Sequence, residues 1–407
     1  MSAYFVSGAG EGRLDSDDRL AIMERQLKYL CLIPDGVADQ PCDALGGRTP
    51  LEAAEIPTIR RWAGAGLTGR ARNVPSGFPP GSDVAIMSIL GLDPALYFTG
   101  RAPLEAAAMG IELAENQVAY RCNLVTVEDG VMKDFSAGHI TTESARPLIG
   151  AIDDVLGGGE ISFVPGVGYR HICIVPEELG EAECVPPHDL TDKAIVLPSG
   201  PASAKLIELM DASKDVLAEA DPSGKATQIW LWGQGKQPST PTFEDRYGMT
   251  GAIITAVDLV RGLGVLAHLE VIDVPGATGY YDTDYSAKAE HALEALDRFD
   301  FCLVHVEATD EAGHEGRLDL KLEALENFDS KICARLNEAL DGEEYRVLLL
   351  PDHPTPVATK THTDDPVPYL IYDSTADGPG GDFTEVGTAG SDPIAGHELL
   401  SNLFTNG

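Results

Sequence analysis

Basic residues are scarce in this chain of 407: 29 Lys and Arg stand against 65 Asp and Glu, a formal charge of −36 with histidine neutral. Neutralising a phosphate backbone needs clustered Lys and Arg, and no segment reads as a basic stripe, so nucleic acid is excluded as a partner. The same sign argument disfavours anionic membrane surfaces. Cysteines are few and scattered, at 31, 42, 122, 173, 184, 302 and 333. Their number is odd and none forms a C-x-x-C pair, which argues against a disulfide framework or a zinc knuckle and fits a reducing cytoplasm. No stretch approaches the roughly 18 apolar residues of a membrane span. The first 26 residues lack both a basic and an apolar leader region and read as a polar N-terminal extension.

What is present is a hydrophobic fraction of 43%, enough to bury a core. Short apolar runs alternate with helical patterns, the signature of strands buried in a parallel α/β sheet. Tyr29–Ile33 runs into Asp35, Phe301–Val306 into Glu307 and Asp310, and Arg346–Leu350 into Asp352 and His353. In open α/β sheets ligands bind beyond the carboxyl ends of the strands, so three strands delivering carboxylates there predict one shared polar site. Residues 286–298 and 317–340 have helical spacing, and 251–264 reads as a buried helix ending at glycine. Between 111 and 225 short β-like pieces separated by Gly and Pro clusters predict a second domain inserted into the first. The expected division is an extension over 1–26, a discontinuous catalytic unit over 27–110 and 226–407, and an inserted α+β substrate-binding unit over 111–225.

Asp310-Glu-Ala-Gly-His314 places a carboxylate and an imidazole on one helical face, a metal-ligand spacing. Alone, D-x-x-x-H arises often by chance. Asp352-His353, His362 and Asp35 complete three aspartates and three histidines, enough for two metals. Ser82 follows a rigid Pro-Pro-Gly turn at the start of an apolar helix. By itself it reads as an N-cap; beside a two-metal ligand set it reads better as a nucleophile, since helix N-termini attract phosphate and coordination activates a hydroxyl. An acidic chain that binds an anion must concentrate its few cations. The candidates are Arg101, Arg121, Arg170 with His171, and Lys236; His139 is one more from the inserted segment.

These residues fall in motifs that resemble the archaeal-type, cofactor-independent (2,3-bisphosphoglycerate-independent) phosphoglycerate mutases of the alkaline phosphatase superfamily. The motifs run from about Lys28 to Tyr372: Pro-Asp35-Gly, Gly-Gly-Arg-Thr-Pro-Leu-Glu-Ala-Ala, Pro-Gly-Ser82-Asp, Tyr-Arg121-Cys-Asn, Ser-Ala-Gly-His139, Gly-Tyr-Arg170-His, Trp-Leu-Trp-Gly-Gln-Gly-Lys236, Val-Pro-Gly-Ala-Thr-Gly-Tyr280, Thr-Asp310-Glu-Ala-Gly-His314, Asp352-His353 and Thr-His362-Thr. The resemblance implies an alkaline-phosphatase-like, mostly parallel sheet flanked by helices, with a smaller inserted α+β domain. It implies interconversion of 3- and 2-phosphoglycerate through phospho-Ser82, one metal on Asp310, His314 and His362 and the other on Asp35, Ser82, Asp352 and His353. Mn²⁺ is the family's usual metal, with Zn²⁺, Co²⁺ or Mg²⁺ as alternatives, and no 2,3-bisphosphoglycerate is needed. Lys236 would assist at the phosphoryl group, and Arg101, Arg121, His139, Arg170 and His171 would bind the small phosphorylated carboxylate. A homo-oligomer is compatible with this pattern. Thr309 stands where the family often has Pro. The alternative reading is a homoserine kinase or metal-dependent phosphomonoesterase of the same superfamily, which the absence of a G-x-x-x-x-G-K-[ST] loop weakens on the kinase side.

Overall fold

The computed structural model describes residues 27–405; the extension expected over 1–26 lies outside the described residues. Thirteen strands follow in chain order: β1 Lys28–Pro34, β2 Leu67–Arg72, β3 Gln117–Glu128, β4 Val131–Asp134, β5 Ser162–Val167, β6 Arg170–Pro176, β7 Gln228–Gly235, β8 Gly251–Ile254, β9 Glu270–Ile272, β10 Phe301–Val306, β11 Tyr345–Leu349, β12 Val367–Asp373 and β13 Ile394–Ala395. Eight of them form one sheet in the order β13-β2-β12-β11-β1-β10-β8-β9. The run β11-β1-β10-β8-β9 is parallel throughout and only β12 opposes its neighbours. The sheet is therefore mostly parallel and helices cover it, as the sequence pattern predicts.

Burial on both faces explains the continuous apolar runs. Every residue of β8, β10 and β11 is buried. Alternate residues feed two cores, one around Leu30, Leu32, Trp62, Val304 and Leu349 and the other around Cys31, Ile33, Ile86, Leu303 and Leu348. The segment 251–264 is a correction to the sequence reading: Gly251–Ile254 is a strand, and the helix is Asp258–Leu266. A short apolar run has no period that tells a fully buried strand from a helix, and here pairing with β10 decides. The last segment also joins the fold, since β13 pairs with β2 and the helix Leu399–Thr405 buries Leu399, Leu400 and Leu403.

A second, five-stranded sheet holds β4-β3-β6-β5 with β7 on β3, all antiparallel. Its core packs Tyr120, Leu124, Ile149, Leu206, Trp230 and Leu231. Strand β7 lies beyond the 225/226 boundary expected from sequence, yet it pairs along β3 from Val125 to Ala119. Composition shifts mark loops, whereas β7 reads as one more apolar strand and only its hydrogen-bond partner assigns it to this sheet.

Candidate functional site

The three strands that end in acidic residues are neighbours, in the order β11-β1-β10. Residues scattered from 35 to 353 thus meet at one sheet edge. After β1 the chain turns at Gly36, whose φ of 62° is left-handed, and its amide donates to Asp352 Oδ1 at 3.1 Å. After β10 the helix Ala308–Glu315 puts Asp310 and His314 one turn apart, with His314 Nε2 3.2 Å from Asp310 Oδ2. The loop after β11 carries Asp352 and His353, both 1% exposed, and continues to His362.

Two donor clusters result. In the first, Asp310, His314 and His362 converge, the two Nε2 atoms being 2.9 Å apart and His362 Nε2 3.5 Å from Asp310 Oδ1. Each imidazole turns its Nδ1 to a main-chain carbonyl, of Lys360 and Pro80 respectively, an arrangement that aims the Nε2 lone pairs inward. In the second, Asp35, Asp352 and His353 converge, and Ser82 Oγ lies 3.2 Å from His353 Nε2 and 3.4 Å from Asp35 Oδ2. Asp35 Oδ1 and Asp352 Oδ2 are buried without any hydrogen-bond partner. Buried carboxylate oxygens left without hydrogen-bond partners are costly, and a divalent cation is what such a set of oxygens and imidazole nitrogens fits.

Electrostatics agree. Burial, reinforced by the charges of Asp352 and Asp310, pushes Asp35 well above the usual carboxylate range. Asp310 is also buried, yet hydrogen bonds from His314 and His362 hold it well below that range. His314 is pushed up to about 9, first by its hydrogen bond to Asp310 and against its burial.

Ser82 is the first residue of the helix Ser82–Ile89, but the cap position belongs to Gly81 and the Ser82 hydroxyl caps nothing. It points to Asp35 and His353 instead. The next residue, Asp83, is held by Arg101 through Nε at 2.7 Å and an outer nitrogen at 3.2 Å, so this arginine braces the serine turn.

Arg121 is buried, pairs with Glu105 through two nitrogens at 2.9 and 3.0 Å, and lies over the Trp232 ring at 4.2 Å. Burial lowers its pKa, Glu105 opposes the fall, and the charges of Arg101 and Arg170 add to it: the three arginines form one group. Arg170 also reaches Asp258 on the larger sheet's side at 3.7 Å. Lys236 is exposed and its ammonium pairs with Glu177. His139 is exposed at a φ of 51°. His171 is 1% exposed, its Nδ1 accepts the Gly166 amide at 3.0 Å, and burial drives its pKa down to about 3. Its neighbours on β6 alternate faces, so Arg170 reaches outward where His171 points inward.

Sequence reasoning missed several residues. His305, fully buried, places Nε2 2.9 Å from Asp35 Oδ2 and Nδ1 3.1 Å from Thr255 Oγ, and with Asp35 and Glu307 it forms a third donor group. His305 lay in the strand already singled out, where a histidine within an apolar run was the available signal; Glu307, just past that strand's end, had been noted as a carboxylate but given no ligand role. Thr309 donates its hydroxyl to the Asp35 carbonyl, a bond a proline there would lack. His188 packs edge-on to Trp232 at 5.3 Å and to Phe135 at 6.2 Å, beside Arg101 and Arg121; in sequence it is one residue of a Pro-rich turn.

A profile for 2,3-bisphosphoglycerate-independent phosphoglycerate mutase matches residues 63–222. A protein of that name from Methanosarcina acetivorans is 51% identical over 370 residues, covering 87% of this chain and 93% of that protein. A probable 2,3-bisphosphoglycerate-independent phosphoglycerate mutase from Geobacter sulfurreducens is 48% identical, covering 85% and 90%. Among solved structures, the PH0037 protein from Pyrococcus horikoshii superposes with a TM-score of 0.76 at 26% identity, covering 94% of this chain and 98% of that one. The cofactor-independent phosphoglycerate mutase from Thermoplasma acidophilum gives 0.64 at 26%, covering 93% and 98%. With about half of the aligned residues identical over 85–87% of its length, the chain belongs to the 2,3-bisphosphoglycerate-independent phosphoglycerate mutase family, a family of isomerases.

Proposed function

We propose that this chain interconverts 3-phosphoglycerate and 2-phosphoglycerate without 2,3-bisphosphoglycerate, through transient phosphorylation of Ser82. The observation that carries the reading is the Ser82 hydroxyl: it caps no helix and lies between His353 Nε2 at 3.2 Å and Asp35 Oδ2 at 3.4 Å. The names of the relatives support the substrate, a small phosphorylated carboxylate.

Asp310, His314 and His362 would hold one divalent ion, and Asp35, Ser82, Asp352 and His353 the other, Mn²⁺ being our choice; bound there, the pair neutralises phosphoryl charge and acidifies the serine hydroxyl. Ser82 Oγ loses its proton and attacks phosphorus, and the glycerate 3-oxygen departs and takes up a proton. Glycerate then turns, its 2-oxygen attacks the phosphorus on Ser82, and the serine is restored. The amides at the start of the helix Ser82–Ile89 favour the anion. Arg101 holds that turn through Asp83. Arg121, set by Glu105 and Trp232, and Arg170, released from Asp258, would grip the substrate's carboxylate and phosphate. Lys236, freed from Glu177, and His139 would close on the substrate from the smaller unit. We assign the substrate-gripping role to residues 111–225 with β7, and the chemistry to the units before and after. Closure of the two would exclude water, which would otherwise hydrolyse the phosphoserine.

Coupling the Mn²⁺-loaded protein to enolase tests the reading. Turnover without added 2,3-bisphosphoglycerate is expected, with phosphate on Ser82 found by mass spectrometry after acid quench. Activity that survives complete metal chelation, or that survives Ser82→Ala, would sink it. Phosphate release outrunning isomerisation, or ATP-dependent formation of phosphohomoserine, would favour the phosphomonoesterase or kinase alternative.

A further inference from the structure

Thr355 is fully buried between the two donor clusters. Its hydroxyl donates to Asp310 Oδ1 in the first cluster and lies 3.3 Å from His353 Nδ1 in the second. A hydroxyl carries one proton. With that proton given to Asp310, the contact to His353 is made by the ring, Nδ1–H donating to Thr355 Oγ. The tautomer of His353 follows: Nε2 is a bare lone pair facing Ser82 Oγ and Asp352 Oδ2, each at 3.2 Å.

We infer that Thr355 is a positioning residue that couples the two metal half-sites, one hydroxyl fixing both the tautomer of His353 and an oxygen of Asp310. This rests on the two-ion reading above. The fold holds Thr355 in place from every side. Its amide is shared by the carbonyls of Gly36 and Ala38, both at 3.2 Å, and its carbonyl accepts the buried Lys321 ammonium at 2.8 Å. Two glycines leave it room. A Cβ on Gly36 would stand 2.6 Å from Thr355 Oγ, and one on Gly313 would stand 2.3 Å from Thr355 O. A cation drawing on His353 Nε2 makes Nδ1–H a stronger donor. That bond polarises the hydroxyl toward Asp310, and the effect runs equally in reverse. Filling either half-site thereby prepares the other.

The test is calorimetric titration of the full chain, stripped with EDTA, with Mn²⁺. Wild type, Thr355→Val and Thr355→Ser are compared. The valine keeps the shape without the hydroxyl, and the serine restores the hydroxyl. Wild type is expected to take two ions. Thr355→Val should bind both about 10 to 100-fold more weakly, the usual effect of removing a partner that orients a ligand, and Thr355→Ser should return both affinities toward wild type. Ring-nitrogen NMR shifts of the metal-free protein should show His353 as the Nδ1–H tautomer in wild type and Thr355→Ser, and a mixture in Thr355→Val. If Thr355→Val does not fold, Thr355→Ala takes its place with the same expectations. Two ions bound by the hydroxyl-free variant as tightly as by wild type would overturn the inference and leave the two-ion reading standing. A wild-type chain that binds fewer than two ions would instead overturn the two-ion reading on which the inference stands.

Discussion

His314 Nε2 and His362 Nε2 lie 2.9 Å apart, and the Nδ1 of each faces a main-chain carbonyl. Two lone pairs do not face one another at that distance without a positive charge between them. In the metal-free chain the Asp310 carboxylate favours a proton on His314, whose pKa its hydrogen bond to Asp310 pushes up to about 9.

That proton sets a pH dependence. The folded value of His314 lies above the ordinary 6.5, so its protonation stabilises the metal-free chain fully below pH 6.5, and the contribution is lost as pH rises through about 9. A divalent ion must displace the same proton. Apparent affinity at this cluster should therefore fall as pH falls below 9, by about tenfold per unit for one proton. Titrations in buffers of different ionisation enthalpy should register about one proton released at pH 7.5; affinity that rises toward pH 6 would refute this.

Gly36→Ala should disable the site. The new Cβ would stand 2.4 Å from Asp310 Oδ1 at a φ of 62°. Backbone strain alone costs about 1–3 kcal/mol, and Asp310 must shift as well. Loss of metal binding together with a lower urea midpoint is expected. A variant that binds metal normally would show that the loop has room this geometry denies.

Arg121→Lys should raise KM far more than it lowers stability. The substitution keeps the charge but loses the two-nitrogen grip on Glu105 and the planar contact with Trp232. An increase in KM of at least about tenfold, or 1.4 kcal/mol, is expected in steady-state assays. An unchanged KM would remove Arg121 from the substrate's neighbourhood.

The buried pair Lys321–Asp39, at 2.8 Å with both side chains almost wholly enclosed, underlies the site. Lys321→Met leaves Asp39 uncompensated and should cost about 3–5 kcal/mol in denaturant unfolding. Adding Asp39→Asn should recover part of that loss. No recovery in the double variant would mean that the two charges act independently.

Much of the site was legible because it lies where strands end. Asp35, Asp310, Asp352 and His353 each follow an apolar run within a few residues, and a parallel sheet brings such ends together whatever the distance along the chain. His305 and Thr355 were not legible. His305 sat in a strand that was read for its apolar residues, and Thr355 is one threonine among many until its hydroxyl is placed between Asp310 and His353. The segment 251–264 misled for a related reason, since a buried strand and a buried helix are both simply apolar.

The sequence by itself determined the fold class, the acidic surface and the donor types, because these depend on composition, burial period and the chemistry of individual side chains. Only the tertiary structure decided the rest. It turned the Ser82 hydroxyl away from capping and toward Asp35, put His171 inside while Arg170 reaches Asp258, and assigned β7 to the smaller sheet. Each of these is a choice of partner between residues far apart in the chain, and a side chain's partner is fixed by packing and hydrogen-bond satisfaction across the whole fold, not by its neighbours in sequence.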